Sequence, residues 1–369
     1  MEALFTPHQI GGITLRNRIA LAPLTRCRAS RPDYVPTALM ADYYAQRAGG
    51  GLLITEGTNV SPLSNAFDGA PGIWTAEQTE GWKPVVGAVH DRGAPIFVQL
   101  WHGGRVSNDT ILGGEAPLAP SVTDGRDALQ VYAIDDDGRS YKVSASIPRA
   151  MTVEDIARTV EAFANATANA KAAGFDGVEF HAANGYLLHQ FQSAGTNLRD
   201  DAYGGSIENR IRLTLEAVDA AAAHLPYARM GIRFSPLAKY NDVGDPDPGP
   251  TYTALAKALQ SRGLGYIHLG DTNAWMGAPD LPALIAMIRP HYTGTLIVNG
   301  GIEAEAAARL VSAGTADVVA FGRQFLANPD LPERIRTGAP LNEQRMEGFY
   351  GHAPAEEGYT DYPTLETVA

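Results

Sequence analysis

The feature that most limits how this chain can fold is a rhythm. Short apolar runs alternate with amphipathic segments along most of its length. Eight such runs follow in order: Arg18–Leu21, Gly51–Thr55, Ile96–Leu100, Gly177–His181, Met230–Phe234, Tyr266–Leu269, Leu296–Val298 and Val318–Phe321. A strand-then-helix repeat of this kind marks β-α units around a parallel sheet. The clearest helix is expected from Val153 to about Ala173. Thr152 and Asp155 make a capping-box-like start. Ile156, Val160, Phe163 and Ala170 recur at helical spacing, with Thr167 in the same stripe, and Gly174 supplies the stop. Similar helices are expected over Ser206–Ala223, Tyr252–Arg262 and Ala304–Ala313. Eight units of this type predict an α/β chain closed into a (β/α)8 barrel. The rival is an open doubly wound sheet, which usually carries a Gly-x-Gly-x-x-Gly turn after its first strand. Here the first run leads into Ala22-Pro-Leu-Thr-Arg26 instead.

A length of 369 residues would suit two average domains, and equally one barrel with insertions. The reading is a single domain over 1–369 with two additions. Phe5–Thr14 contains Gly11-Gly12 between apolar positions, a hairpin placed to cap the barrel floor. Residues 102–150 form a long excursion after the third strand, with a hairpin over Val131–Val143 turning at Asp137-Gly138. A long insertion on that side of a barrel is usually functional or lid-like.

Charge and cysteine usage exclude several classes of function. The chain carries 29 basic and 41 acidic residues, a net charge of -12. That argues against general binding to nucleic acid or to an anionic membrane surface, while leaving room for a local phosphate site. Cys27 is the single cysteine. No intrachain disulfide, iron–sulfur cluster or cysteine-based zinc site can be built from it, and a cytoplasmic setting is the simplest reading. The opening Met1-Glu-Ala-Leu-Phe-Thr lacks the basic and apolar regions of a signal peptide. Runs such as Gly51–Thr55 are far too short to span a bilayer.

In barrel enzymes the reactive groups lie at the C-terminal ends of the strands. Strands seven and eight are followed by Gly300-Gly301 and Gly322-Arg323. Glycine lets backbone N–H groups approach a phosphate, a helix N-terminus adds partial positive charge, and Arg323 offers a forked donor. Gln99, Thr25 and Arg233 favour a phosphorylated cofactor with a hydrogen-bonding heterocycle: Gln99 offers donor and acceptor, Thr25 a hydroxyl, Arg233 a fixed positive charge. Strand four runs into His181-Ala-Ala-Asn184-Gly-Tyr186. Alternation puts Glu179 and His181 on one face and Val178 and Phe180 on the other, toward the helices. His181 and Asn184 could then hold one carbonyl or oxyanion, with Tyr186 as a general acid. An isolated histidine near a strand end is more often structural; the surrounding constellation makes this one a site candidate.

With these residues in place, the chain resembles the Old Yellow Enzyme family, especially the bacterial branch containing N-ethylmaleimide and pentaerythritol tetranitrate reductases. The matching segments span nearly the whole sequence. They include Asn17-Arg-Ile-Ala-Leu-Ala-Pro-Leu-Thr-Arg26, Gln99-Leu-Trp-His-Gly-Gly-Arg105, Gly174 through Leu187, Tyr203 through Arg210, and Glu357-Gly-Tyr-Thr-Asp-Tyr-Pro363. The resemblance implies a barrel holding FMN non-covalently, reduced by NADPH or NADH, with an activated alkene entering the same site afterwards. It implies that His181 and Asn184 anchor the substrate oxygen and that Tyr186 donates the proton. It implies flavin contacts at Pro23, Leu24, Thr25, Gly57, Gln99, Arg233, Gly300, Gly301, Gly322 and Arg323, and a substrate cavity lined by Phe67, Trp101, Trp275 and Tyr350. Relatives often have tyrosine where this chain has Phe67. The stretch His352-Ala-Pro-Ala-Glu356 replaces a glycine-richer rim. Relatives include monomers and homodimers.

Two other classes compete with an FMN ene-reductase. A phosphate-binding barrel lyase or isomerase acting through a Schiff base needs a strand-end lysine, and of five lysines only Lys239 lies near one. A non-catalytic barrel scaffold leaves His181, Asn184 and Tyr186 without a purpose. Iron–sulfur dienoyl reductases share the barrel but need a cysteine cluster.

Overall fold

The computed structural model describes residues 1–123, 129–135, 139–272, 279–345, 349 and 356–368. Eight parallel strands form a closed barrel: Ile19–Leu21, Leu52–Asn59, Ile96–Trp101, Gly177–Ala182, Met230–Phe234, Tyr266–Gly270, Thr295–Asn299 and Val318–Phe321. They are called strands one to eight below. Strand eight returns to strand one through the pairs Val319–Ile19, Ala320–Ala20 and Phe321–Leu21. Each expected apolar run coincides with a strand. Strand two continues further than expected, to Asn59, after a register shift between Ile54 and Gly57 against strand three. The shift carries Gly57 to the rim.

The helices pack outside. Val153–Ala173 forms as expected. Thr152 Oγ1 accepts from the Asp155 amide at 3.1 Å, and the Asp155 carboxylate accepts from the Thr152 amide at 2.9 Å. Gly174 ends the helix with φ at 95°, a value glycine reaches without strain. Phe163 of this helix meets Phe180 of strand four with ring centroids 5.7 Å apart, so Phe180 faces outward and Glu179 inward. The segment expected as one helix over Ser206–Ala223 is two, Ile207–Arg210 and Arg212–Ala221, joined at Ile211. The next helix begins earlier than expected, at Gly249, with a proline in its first turn. Among the described residues, no helix is long and apolar enough to cross a membrane.

Both additions take the expected form. His8–Ile10 and Ile13–Leu15 pair antiparallel around Gly11-Gly12, whose φ angles are 54° and 82°, as a tight hairpin turn requires. His8 Nε2 lies 2.8 Å from Thr295 Oγ1 at the start of strand seven, so the hairpin sits against the barrel floor. In the excursion, Gln130–Ile134 pairs with Ser140–Ser144. The turn assigned to Asp137-Gly138 lies outside the described residues.

The lower interior is packed around two rings. Phe97 and Tyr266 are fully buried, with centroids 5.8 Å apart. They rest over Gly177 and Gly231: a Cβ on Gly177 would run into Phe97, and one on Gly231 into Tyr266. Overpacking a filled interior costs about 1–3 kcal/mol. Gly231→Ala is therefore expected to destabilise the protein by about that amount in denaturant unfolding. Tyr266→Leu in the same chain should recover part of the loss, and no recovery would show that the ring contact is not the cause.

Candidate active site

The site occupies the rim formed by the C-terminal strand ends. Strand four ends in a tight turn. The Tyr186 amide donates to the Ala183 carbonyl at 3.2 Å, and the two central residues, Asn184 and Gly185, have φ of 58° and 76°. Positive φ at both central positions defines a type I′ turn, and Asn-Gly is its favoured sequence. That dipeptide is the local signal for the turn that the sequence carries. Three further bonds hold it. The Asn184 amide donates to Ser235 Oγ at 2.7 Å. The Gly185 amide donates to His189 Nδ1 at 3.1 Å. Asn241 Nδ2 donates to the Asn184 carbonyl at 2.9 Å.

The turn brings the expected trio together. His181 and Tyr186 rings stand edge to face with centroids 5.0 Å apart. Trp101 lies 4.9 Å from Tyr186 and 6.4 Å from His181, and Phe67 lies 5.4 Å from Trp101. Gly57 makes room for Trp101, since a Cβ there would sit 2.8 Å from the indole. Val131 of the excursion packs into the same apolar cluster as Trp101 and Tyr186, with Phe67 and Val143 against it. Trp275 and Tyr350, and residues 352–355 of the altered rim, lie outside the described residues.

Within this apolar wall some polar atoms are buried without a partner among the described residues, namely His181 Nδ1, Asn184 Oδ1 and Trp101 Nε1. Buried polar groups are normally paired, so unpaired ones at a rim are groups available to a ligand. Burial, reinforced by Arg233, pushes the His181 pKa well below its usual value. Burial also pushes the Tyr186 hydroxyl well above the usual tyrosine range, and nearby Tyr240 adds to the effect while a side-chain bond with Asn241 opposes it. Neutral His181 and protonated Tyr186 are thus the forms present around neutrality.

Beside the trio, a cavity of about 290 Å³ runs along strands seven, eight and one. Pro23, Leu24, Arg233, Gly300, Gly301, Gly322 and Arg323 all line it. Glycines 300 and 301 precede the helix Ala304–Ser312 by a few residues rather than opening it, whereas Gly322 caps the short helix Arg323–Ala327. Thr25, Gly57 and Gln99 do not line the cavity but adjoin one another: a Cβ on Gly57 would lie 3.2 Å from Thr25 Oγ1, and Gly57 pairs with Gln99 across strands two and three. Buried Glu56 fixes the strand-one loop, accepting from the Arg26 and Cys27 amides at 2.9 and 3.1 Å. Lys239, the only strand-end lysine, is exposed.

The chain matches the model of the NADH:flavin oxidoreductase / NADH oxidase family over residues 3–342. The chain belongs to this family. Among its relatives, 12-oxophytodienoate reductase 1 of Oryza sativa subsp. japonica is 42% identical over 370 residues, covering 99% of this chain and 94% of that protein. Flavin oxidoreductase hxnT of Emericella nidulans is 40% identical over 389 residues, covering 98% of each. Among solved structures, morphinone reductase superposes with a TM-score of 0.93 at 45% identity, covering 99% of this chain and 97% of that one. An Old Yellow Enzyme homologue from Zymomonas mobilis gives 0.91 at 39%, covering 98% and 99%. As a member of the NADH:flavin oxidoreductase family, the protein is an NAD(P)H-dependent flavin oxidoreductase of the Old Yellow Enzyme type, and FMN is its cofactor. The residues present fit that group. Arg233 lines the cavity, and its buried Nε has no partner among the described residues. Glycine amides and the Arg323 guanidinium at the same cavity are the donor set a phosphate needs.

The depressed pKa of His181 sets a test. Its ring resonances should show no protonation step between pH 8 and pH 5 when followed by NMR; a step near 6.5 would mean the ring is hydrated rather than buried.

Proposed function

We propose that this flavin oxidoreductase is an ene-reductase that accepts electrons from NADPH or NADH and reduces activated alkenes: enones, enals, maleimides and nitroalkenes. The observation that carries the reading is the convergence of His181, Asn184 and Tyr186, with unpaired buried polar atoms, inside an aromatic wall beside the FMN-type cavity. The relatives support it, being named as 12-oxophytodienoate and morphinone reductases. A morphinone reductase structure in complex with tetrahydroNAD supports a nicotinamide as the electron donor.

FMN held at this cavity would supply hydride-transfer chemistry toward the β-carbon of the alkene. The chain does the rest. Gly300, Gly301, Gly322 and Arg323 bind the phosphate. Pro23, Leu24, Thr25, Gly57, Gln99 and Arg233 hold the ring. His181 and Asn184 hydrogen-bond the carbonyl or nitro oxygen and stabilise the negative charge that develops on it. A neutral His181 does this as a donor without repelling Arg233. Tyr186 gives its proton to the α-carbon. Its raised pKa keeps that proton in place until a strongly basic carbon is formed. Phe67 and Trp101 shape the substrate cavity, and residues 102–150 act as a lid-like part of a single working domain in a cytoplasmic protein.

The test is anaerobic and uses both half-reactions. Purified protein should be yellow, bleach with NADPH or NADH, and recover its colour on addition of an enone or nitroalkene. A preparation that stays colourless and takes up no FMN would sink the reading. Tyr186→Phe should slow the alkene half-reaction by about 10²-fold or more while leaving bleaching by the nicotinamide within about twofold. Equal loss in both halves would contradict the proton-donor role.

A further inference from the structure

Gln99 and Arg233, two of the side chains proposed to hold the flavin ring, are joined by a buried chain whose middle members, Glu179 and His268, the proposed chemistry does not use. Gln99 Nε2 donates to Glu179 Oε1 at 2.7 Å. His268 Nδ1 lies 2.9 Å from Glu179 Oε2, and His268 Nε2 lies 3.2 Å from Arg233 Nη1. Arg233 Nη2 donates to Asn299 Oδ1 at 2.9 Å, and Asn299 Nδ2 donates to the Ala320 carbonyl at 2.8 Å. Neighbouring strands supply two of the links, strand three with strand four at Gln99–Glu179 and strand five with strand six at Arg233–His268, while Glu179–His268 reaches from strand four to strand six. Glu179 and His268 are both fully buried.

Arginine can only donate, so His268 Nε2 must accept and Nδ1 must carry the proton toward Glu179. The imidazole is therefore neutral, which agrees with the downward pull of burial on its pKa, reinforced by Arg233. This leaves one anion and one cation, with a neutral ring between them. An unpaired carboxylate at such a depth would be protonated, so the carboxylate of Glu179 and the guanidinium of Arg233 keep each other charged.

We propose that Glu179, acting through His268 and Gln99, is a positioning residue that sets the reduction potential of the bound flavin, a proposal that rests on FMN occupying the rim beside Arg233. Glu179 offsets part of the Arg233 charge felt by the ring, and it fixes the orientation of both Gln99 and Arg233. A reduced flavin carries more negative charge than an oxidised one. Neutralising Glu179 leaves Arg233 uncompensated and should favour the reduced form.

The experiment compares wild-type holoprotein with Glu179→Gln, which keeps the size and removes the charge. Midpoint potentials are measured by spectroelectrochemical titration, and dissociation constants for oxidised and reduced FMN are measured separately. The variant should prefer reduced over oxidised FMN at least tenfold more than wild type, an upward shift of about 30 mV or more for a two-electron couple. A residue that is only a structural tether would weaken both redox forms alike and leave the potential unmoved; an unchanged or lowered potential overturns the proposal. Because the ratio of constants is read, weak binding still gives an answer. If Glu179→Gln does not fold, Glu179→Ala is read instead; it also removes the charge, so an upward shift is expected and no shift overturns the idea. Wild-type protein that binds no FMN would overturn the cofactor placement and this proposal together, whereas normal wild-type binding with an unmoved variant overturns this proposal alone.

Discussion

Closure of the parallel sheet decides where everything else can lie. Once strand eight hydrogen-bonds to strand one, no sheet edge is left open and every strand points the same way, so eight strand ends share one rim. Closure also splits each strand's side chains into an outward set packed on helices and an inward set that must fill a narrow tube. The inward set changes character along the axis. At the bottom Phe97 and Tyr266 press on glycines. Above them come Gln99, Glu179, Arg233 and His268, polar and buried. The chemistry at the rim stands on this polar layer, and the polar layer stands on the aromatic one.

Much of this was legible in the sequence because the periods involved are strong. Apolar runs such as Ile96–Leu100 and Gly177–His181 cannot be exposed, and the Thr152/Asp155 cap and Gly174 stop leave little freedom over the boundaries of the intervening helix. The strand-end residues were legible for the same reason: once the strands are placed, Arg233 and His181 must sit near one rim. Partnership was not legible. Glu179 was placed on the same face as His181, yet nothing in a linear sequence links it to His268, 89 positions later. The supports of the Asn184 turn, Ser235, His189 and Asn241, come from three separate segments and show no local pattern. The break at Ile211 follows no proline or glycine that would announce it in the sequence.

Electrostatically, the upper interior is balanced rather than charged. Glu179 and Arg233 are a fixed pair, and His181, His189 and His268 are all held neutral by burial. A site arranged in this way presents the Arg233 guanidinium together with several neutral hydrogen-bonding groups. That suits a reaction in which negative charge appears transiently and must be met by groups already in position, since reorientation within so tightly packed a barrel would be slow.

The type I′ turn after strand four narrows what its sequence can be. A residue at φ near 58° is inexpensive only for glycine, asparagine and aspartate. Glycine would keep the bend and lose the amide. Aspartate would keep the length and bury an anion at the rim, since position 184 is buried. Asparagine alone supplies both the bend and an uncharged hydrogen-bonding head, so one letter of the code answers to two independent demands. Positions of that kind resist drift, because a neutral change in shape is never also a neutral change in chemistry.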